Sequence, residues 1–434
     1  MPVEPIVIDT SIVAVGESVE LYGNILLVGE DQGGSLAVNT VKEYTNLTDI
    51  ATDFLNTSTV YMAAEMIFNQ GVKKLRAVKV DVKSISGESI NAGSAQSFAH
   101  SPVKGDTVVI ATYTVQYSWN NPPVDPGANK AEVGTSSSKI FMNGAGAKNV
   151  DYDYYDITAL DNVIKDYEDD VDIIYFTGWT DGVAPGVSPQ DWGIADETVD
   201  FCDTYNWVTV IPGRGDETKA TQKTDLTTTT FSSKNVMTLA HLDTSTDDDV
   251  GAAMIGKMAA VVPWDKMMWK GIKEMDEDNI EEFAKSDITD LETSKVNALF
   301  TRAGLPRASD GLTTVGGDYK YIDITRTQYF VEDLIKTMLS NLIQDEIVSY
   351  TPAGVAQVKS VIQSACEQCV LEGALRVPWT DDADVFHRGY AVEVPDFNDI
   401  PAADREARIL KNVFITIWLR GHIQSINMNM EIQL

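Results

Sequence analysis

The chain has 434 residues, room for roughly two to four domains of ordinary size. Hydrophobic residues make up 44 % of it, enough for packed cores, which excludes a disordered chain. The 65 acidic against 33 basic residues leave a net charge of −32. Nucleic-acid binding requires a basic face, so no nucleic-acid partner is expected.

Membrane insertion and secretion are not expected either. No apolar run reaches the roughly 18 to 20 residues that span a bilayer. The first residues, MPVEPIVIDTSIVAVG, lack the basic region of a secretion signal. The sequence therefore predicts an untargeted protein that does not insert into membranes.

The cysteines are Cys202, Cys366 and Cys369, and this odd, low number argues against a disulfide framework. The CEQC motif lies in a helical pattern in which Ile362, Ala365 and Cys369 share a face. With no second CxxC and no nearby histidine, we interpret these as core cysteines rather than zinc or redox ligands.

The first part of the chain predicts an arm followed by a βαβ unit. Residues 1–23 contain β-branched, strand-like positions such as Ile6 and Ile8, and we interpret them as an N-terminal linking arm. Residues 24–82, the first part of an α/β domain, contain a buried strand, a helix over 58–69 that Gly71 is predicted to cap, and a second strand. The intervening GEDQGG is predicted to be a plain turn, because its acidic residues would repel a phosphate.

Residues 83–150 differ in character and predict a β-rich surface insertion. Ser, Gly, Asn and Pro accumulate there. Apolar and polar residues alternate over 109–117, which is typical of a strand, and KIFMN at 139–143 is predicted to be its partner.

Residues 151–310 resume the α/β pattern as the second part of the same domain. Helices alternate with strands over 173–177, 207–211 and 236–240, which predicts a parallel or mixed sheet. The adjacent carboxylates Asp247, Asp248 and Asp249 have the chemistry of a metal site. They also precede a helical segment with Thr246 as its predicted N-cap, and the spacing of a calcium loop is absent.

Residues 311–410 predict a C-terminal domain. Its elements are a strand over 319–325, a helix over 328–343, and a second helix that begins at Pro352 and ends at Gly373. A strand over 390–394 and a short charged helix over 402–410 follow.

Two strands, 413–419 and 426–434, close the chain within the segment 411–434. In the last of them, apolar residues alternate with polar ones, which predicts one apolar face. This strand either belongs to a sheet of its own domain or pairs with another subunit. The alternating apolar positions are Ile426, Met428, Met430, Ile432 and Leu434.

The motifs of catalytic chemistry are missing from the sequence. The four histidines are dispersed, and there is no GxSxG elbow, no Walker loop, and no cysteine with a fitting histidine motif. We therefore expect no catalytic residues, no metal and no cofactor. Two alternatives remain: an α/β metal-assisted enzyme that uses Asp247–Asp249, and a monomeric binding module that displays the 83–150 insertion.

Several stretches, in order, resemble the tail sheath proteins of contractile phage tails and related contractile injection systems. NILLVGEDQGG followed by VYMAAEMIFNQGVKKLRAVKV is similar to the first α/β unit of that family. DYKYIDITRTQYFVEDLIKTML is similar to the family's strand-into-helix segment, with Tyr321, Ile322, Asp323 and Arg326 in the matching positions. YTPAGVAQVKSVIQSACEQCVLEGAL is similar to the helix before the last sheet. The G-P pair common after the family's first strand is absent here.

The resemblance implies an α/β, multi-domain sheath fold in which residues 411–434 link neighbouring subunits by β-augmentation. Ile6, Ile8 and the alternating residues of the last strand are the expected link positions. The family's partners are other copies in stacked hexameric rings, the tail tube, the baseplate and the tail terminator. The implied location is the virion tail, assembled in the host cytoplasm. Arg405, Arg408 and Lys411, a rare basic cluster, are expected either to contact the tube or to form a solvated helix face.

Overall fold

The structure, a computed structural model, describes residues 23–100, 103–118, 125–134, 139–177, 192–213, 218–227, 231–242, 249–265, 271–273, 283–302, 305–345, 348–381 and 384–420. These residues form two compact units. The first contains the described residues between 23 and 262 and between 271 and 322. The second contains residues 263–265 and the described residues from 323 onward.

The first unit contains an α/β core built on a mixed sheet. β1 lies between β11 and β3, parallel to both, and β2 runs antiparallel on β3. A parallel bridge from Ile173 to Val208 continues the sheet toward β12, β13, β14 and β15. The core's strands are β1 (Ile25–Glu30), β2 (Lys42–Tyr44), β3 (Leu75–Val80), β11 (Ile173–Phe176), β12 (Thr209–Pro212), β13 (Val236–Ala240), β14 (Asn297–Arg302), β15 (Leu305–Ala308), β16 (Leu312–Gly316) and β17 (Tyr319–Tyr321).

Helices cover this sheet because its central strands are apolar on both faces. Ile25, Leu26, Leu27 and Val28 are all fully buried, as expected for a parallel strand with helices on both sides. Gly256 of α6 allows close packing on α2, because a Cβ there would lie 2.7 Å from the Cα of Ile67. The core's helices are α1 (Leu47–Phe54), α2 (Thr59–Asn69), α3 (Ile157–Ile164), α4 (Trp192–Tyr205), α5 (Lys219–Leu226), α6 (Val250–Ala259) and α7 (Lys285–Thr293).

Residues 82–155 form two further sheets, of order β4-β10-β6 and β5-β9-β8-β7. Both sheets contribute to one apolar core, which includes Phe98, Val133, Ile140 and Tyr152. The strands are β4 (Val82–Asn91), β5 (Ala95–Ser97), β6 (Val103–Ile110), β7 (Thr114–Ser118), β8 (Lys130–Gly134), β9 (Lys139–Met142) and β10 (Ala147–Tyr155).

The second unit consists of two long helices and short strand pairs. β18 pairs with β19 and β20 pairs with β21, both antiparallel. The elements are α8 (Ile322–Asp345, whose first residue belongs to the first unit), α9 (Pro352–Glu372), β18 (Trp379–Thr380), β19 (Phe386–His387), β20 (Tyr390–Glu393), α10 (Ala402–Ala407) and β21 (Phe414–Ile417). Within the described residues, no helix is both long and apolar enough to cross a membrane.

The structure corrects several local predictions. The strand predicted over 319–325 ends at Tyr321, and α8 begins at Ile322 because Ile322, Thr325 and Arg326 are buried at helical spacing. The strand predicted over 109–117 is interrupted by a turn at 111–113, so that β6 and β7 belong to different sheets.

Further corrections concern the N-cap of α6, the cap residue of α2 and the partner of the strand at 139–143. The N-cap of α6 is Asp249, whose Oδ1 accepts the Ala252 N–H at 2.9 Å, rather than Thr246. The cap residue of α2 is Gln70, and Gly71 follows it with a φ of +101°. The strand at Lys139–Met142 pairs with β5 and β8, not with the strand predicted over 109–117.

Candidate assembly interface

The sheet formed by β20 and β21 contains the described strand that is nearest in sequence to the predicted linking strand. Tyr390 pairs with Ile417 and Val392 pairs with Ile415. All four side chains are buried, so they form the inner face of the sheet. In the part of the chain that the structure describes, this sheet has only these two strands. An outer edge of β20 is therefore available for a further strand.

The hydrogen-bond alternation identifies which groups lie on that outer edge. The Trp418 N–H donates to the Gly389 carbonyl at 3.0 Å, so Gly389 and Trp418 are a hydrogen-bonded pair. Pairs alternate along an antiparallel ladder, and Ala391 with Thr416 is the next hydrogen-bonded pair. The backbone N–H and C=O of Val392 consequently point away from β21.

α9 supports this sheet from its inner side. The helix begins at a Thr351 N-cap that accepts the Gly354 N–H at 3.1 Å, and ends at Gly373, whose φ is +92°. The Tyr390 hydroxyl of β20 donates to the Glu367 carboxylate on α9. The start and end of α9 agree with the prediction from Pro352 and Gly373.

The two cysteines of CEQC lie inside this helix and are buried. Burial raises the pKa of Cys366 to about 12, and that of Cys369 to about 12 as well. Both thiols are therefore protonated at neutral pH, and neither is paired in a disulfide. They pack in the core, as the sequence indicated.

A cluster of rings lies at the β18–β19 hairpin. Trp379 stacks on His387 with centroids 4.7 Å apart, and Trp418 meets Trp379 edge-on at 5.6 Å. The Arg376 guanidinium lies 4.1 Å from the centre of the Trp379 ring. Asp381 Oδ2 lies 3.0 Å from Nε2 of His387, which links the residue after β18 to β19.

Several large apolar side chains of this unit are exposed. Leu371 is 83 % exposed, Phe386 62 % and Val377 60 %. In sequence they fall at the end of α9, just before β18 and in β19.

The structure places the predicted basic cluster on and after α10. Lys411 Nζ lies 2.8 Å from the Asp404 carboxylate, and the Arg405 guanidinium lies 5.3 Å from the centre of the Phe397 ring. Arg408 is exposed and caps the helix with a φ of +61°. Two of the three cations thus have partners in the unit itself, and Arg408 is exposed.

The predicted linking residues lie outside the described residues. They are Ile6, Ile8, Ile426, Met428, Met430, Ile432 and Leu434. The structure therefore describes the β20–β21 sheet but not the strands that were predicted to join it.

The carboxylates of the enzyme alternative do not form a metal site in the described residues. Asp249 caps α6 and accepts a hydrogen bond of 2.5 Å from the buried Tyr175 hydroxyl. Asp247 and Asp248 lie outside the described residues. Among the described residues, no group of three or more His, Cys, Asp or Glu side chains is arranged to hold a metal ion. No observation favours the alternative.

Residues 322–432 match a sequence-family model described as "E217 tail sheath protein gp31-like, C-terminal domain". The matched range contains α8, α9, the hairpin and the β20–β21 sheet. None of the curated proteins matches the chain.

Three solved structures share the fold over nearly the whole chain. A chain of the anti-feeding prophage (AFP) baseplate matches with a TM-score of 0.61 and 10 % identity, and each chain is covered completely. A chain of the contracted AFP helical sheath matches with a TM-score of 0.61 and 8 % identity, covering 99 % of each chain.

The third comes from the contracted PVC sheath complex of an extracellular contractile injection system. Its TM-score is 0.52 at 11 % identity, covering 99 % of this chain and 98 % of that one. At such identities the likeness shows the fold, and it confirms the predicted α/β, sheath-like architecture. The resemblance to tail sheath proteins is confirmed as well, at the level of sequence for the C-terminal quarter and at the level of fold for the whole chain.

Proposed function

We propose that this chain is the structural subunit of a contractile tail sheath. In this role it polymerises helically around a tail tube and contracts to drive the tube through a target envelope. The observation that carries the proposal is the match of residues 322–432 to a tail sheath C-terminal domain, within a chain whose full length has a sheath fold. The role is mechanical, and we propose no catalytic activity, no metal and no cofactor.

The proposed link between subunits is β-augmentation of the β20–β21 sheet. The outer edge of β20 presents backbone donors and acceptors, and the inner face of the sheet is apolar and buried. We propose that residues 424–434 of one copy and the strand around Ile6 and Ile8 of another add to this sheet. Such links hold subunits together through the backbone while the rest of each subunit rotates as a rigid body.

The proposed partners follow from this role. They are further copies in stacked hexameric rings, the tail tube protein, the baseplate and the tail terminator, with no nucleic acid and no membrane insertion. A head-to-tail interface that does not close produces the stacked, helical polymer. The proposed location is the virion tail, assembled in the host cytoplasm.

The domain plan remains part of the proposal. It divides the chain into an arm, an interrupted α/β domain with its insertion, a C-terminal domain, and linking strands. The proposed ranges are 1–23, 24–82, 83–150, 151–310, 311–410 and 411–434.

The tube contact is proposed for Arg405 of α10 and for Arg408 and Lys411, which follow the helix. Exposed Arg408 is its best-placed member, whereas Lys411 is already paired with Asp404. Charge reversal at Arg408 should release the sheath from an acidic tube in a co-sedimentation assay. If Arg408→Glu and Lys411→Glu variants both bind tubes as the parent does, the contact lies elsewhere.

Removal of residues 424–434 tests the assembly proposal. The parent protein at high concentration should form hollow, striated tubes in electron micrographs. The truncated protein should stay monomeric by size-exclusion chromatography while keeping the circular dichroism spectrum of a folded α/β protein. Tubes from the truncated protein would refute the strand link, and a parent that stays monomeric under all conditions with purified tube protein would refute the sheath proposal itself.

A further inference from the structure

Gly23, the last residue of the proposed arm, and Asn24, which joins it to β1, are fixed to the start of β11. Their backbone N–H groups donate to Oδ2 of Asp172 at 2.7 Å and 2.8 Å. The Asn24 carbonyl in turn accepts the N–H groups of Asp172 and Ile173, at 3.0 Å and 3.1 Å. Hydrogen bonds to a carboxylate are stronger than those between neutral groups. The chain is therefore attached to the sheet immediately before β1 begins.

Gly23 also packs closely on the end of α6. A Cβ at residue 23 would lie 2.7 Å from the carbonyl oxygen of Ala259, the last residue of that helix. Because the atom in the way belongs to the backbone, a larger residue would displace the chain itself and not only a side chain. The close approach therefore requires glycine, and Asp172 and α6 together fix the point at which the arm joins the unit.

The strand that follows the arm is central in the sheet. β1 pairs in parallel with β11 over residues 25–28 and with β3 over residues 26–30. Residues 25–28 are fully buried. A force along a central strand pulls on the hydrogen bonds of both ladders together, whereas an edge strand can be peeled off one bond at a time. β1 is therefore well suited to resist tension that is applied at its amino end.

The carboxyl end of β1 is fixed as well. The Thr177 N–H donates to the Val28 carbonyl at 2.8 Å, which extends the pairing with β11. The Tyr155 hydroxyl donates to Glu30 Oε1 at 2.5 Å and so joins the end of β10 to the last residue of β1. Tension from the arm would reach the amino end first, and the contacts at that end depend on Asp172.

We propose that Asp172 and Gly23 form a mechanical anchor, which transfers tension from the arm to the central strand of the first unit. This inference rests on the proposed function, because a subunit carries tension through its arm only when the arm is bound to another copy. The hydrogen bonds from Gly23 and Asn24 to Asp172 must break before the pairing of β1 is pulled from its end. The anchor thus keeps the α/β core folded while linked copies move.

Single-molecule force measurements on the full-length protein test the anchor. One handle is attached to the N-terminus and the other to a cysteine introduced by Ser286→Cys, on the exposed first turn of α7. The native cysteines are buried, so the introduced thiol reacts selectively. At constant force, Asp172→Ala should raise the unfolding rate of the first unit by about tenfold or more, because two hydrogen bonds to a carboxylate are lost.

Asp156→Ala is the matched control. Asp156 is also a carboxylate of the first unit that accepts a backbone N–H, that of Ala159 at 3.0 Å, but it caps α3 and not the arm. Asp156→Ala should change the unfolding rate under force only as much as its melting temperature predicts, whereas Asp172→Ala should change the rate by more. Gly23→Ala disturbs the anchor from the side of α6 and should act like Asp172→Ala, so it provides the test if Asp172→Ala does not fold.

A second pulling geometry separates the anchor from general stability. With a handle at Lys73→Cys instead of the N-terminus, the force reaches the amino end of β3, which runs parallel to β1. Tension then bypasses residues 23 and 24. In this geometry, Asp172→Ala should differ from the parent much less than it does when the chain is pulled from the N-terminus.

The inference is overturned if Asp172→Ala and Gly23→Ala unfold under N-terminal tension at the parent's rate. It is also overturned if Asp172→Ala accelerates unfolding equally in both geometries, because the residue would then contribute only general stability. These measurements need no polymer. A parent that never forms tubes would therefore refute the sheath proposal, whereas equal acceleration in both geometries would refute the anchor alone.

Discussion

Lys79 Nζ, whose side chain is only 1 % exposed, lies 3.0 Å from the carboxylate of Asp31 in the GEDQGG turn. It also donates to the Gly33 carbonyl and lies 5.5 Å from the centre of the Phe54 ring. The conformation of the turn is therefore stabilised by a buried cation from β3, and the turn does not surround a bound anion. This explains why acidic residues stand where a phosphate-binding loop would have none.

Replacement of Asp31 by Asn should destabilise the protein by about 1–3 kcal/mol, because it leaves the buried ammonium without its anion. Urea denaturation measures the change. Lys79→Met in the same background is the control, since it removes the buried charge and should recover part of the loss. A double variant as unstable as the sum of both single variants would show that the two side chains are not coupled.

The contribution of Asp31 to the stability of the protein is expected to fall at low pH. The hydrogen bond from Lys79 is the main cause that lowers the pKa of Asp31 below its ordinary 3.8. A depressed carboxyl pKa contributes stability that is present above pH 3.8 and is lost as the pH falls through the lower, folded-state value. The difference between the parent and Asp31→Asn should therefore shrink in acid.

Local signals in the sequence predict the elements that have strong caps and strong periodicity. α9 is an example, because Thr351, Pro352 and Gly373 mark its ends whatever surrounds it. α8 is the contrary case. In YKYIDIT, apolar and polar residues alternate as in a strand. Ile322, Thr325 and Arg326 are nevertheless buried at helical spacing, and this burial overrides the local strand preference. The helix therefore begins six residues before the predicted start.

The candidate assembly interface shows a second limit of prediction from sequence. The sequence predicts the strand of 390–394 and the alternation of 426–434, but a pairing between two copies depends on a surface that no single chain contains. The loops of the β-rich part show a limit for the fold as well, because only the register of β8, β9 and β10 brings Asp125, Asn143 and Tyr113 together.

Glu197 on α4 provides a second prediction on pH. Burial, then the charges of Asp200 and Asp161, raise its pKa to about 7. The stability that a raised carboxyl pKa provides is present at low pH and is lost as the pH rises through about 7. Glu197→Gln should therefore raise the free energy of unfolding by about 1–2 kcal/mol at about pH 8, allowing for partial solvent screening, and by little at about pH 5.

Thermal melts at the two pH values measure this effect. Glu168→Gln removes the same charge from an exposed position nearby and should show a much smaller change. An equal gain in both variants would mean that the net charge of the chain, rather than the buried site, causes the stabilisation.

The pairing of β4 with β10 at the base of the β-rich part, which we call the module, predicts that the module can be removed while the α/β core stays folded. Ser84 and Asp153 are paired across β4 and β10, so an Asn-Gly turn in place of residues 85–152 should close a short hairpin. The α/β core should keep its circular dichroism spectrum and melt cooperatively. The same replacement should leave tube formation intact. Loss of a folded core would show that the module is an integral part of the unit.

The outer edge of β20 predicts the effect of a single proline on assembly. Val392 has its N–H on that edge, so Val392→Pro removes a donor that an added strand would use, while the ladder to β21 through Ala391 remains. Val392→Ala is the matched control, since it loses packing without losing the donor, at a cost of about 1–2 kcal/mol. We expect tubes from the alanine variant and only folded monomers from the proline variant, judged by electron microscopy and circular dichroism. If both variants form tubes, neighbouring copies do not pair along β20. If neither does, the packing beneath the sheet, rather than its edge, controls assembly.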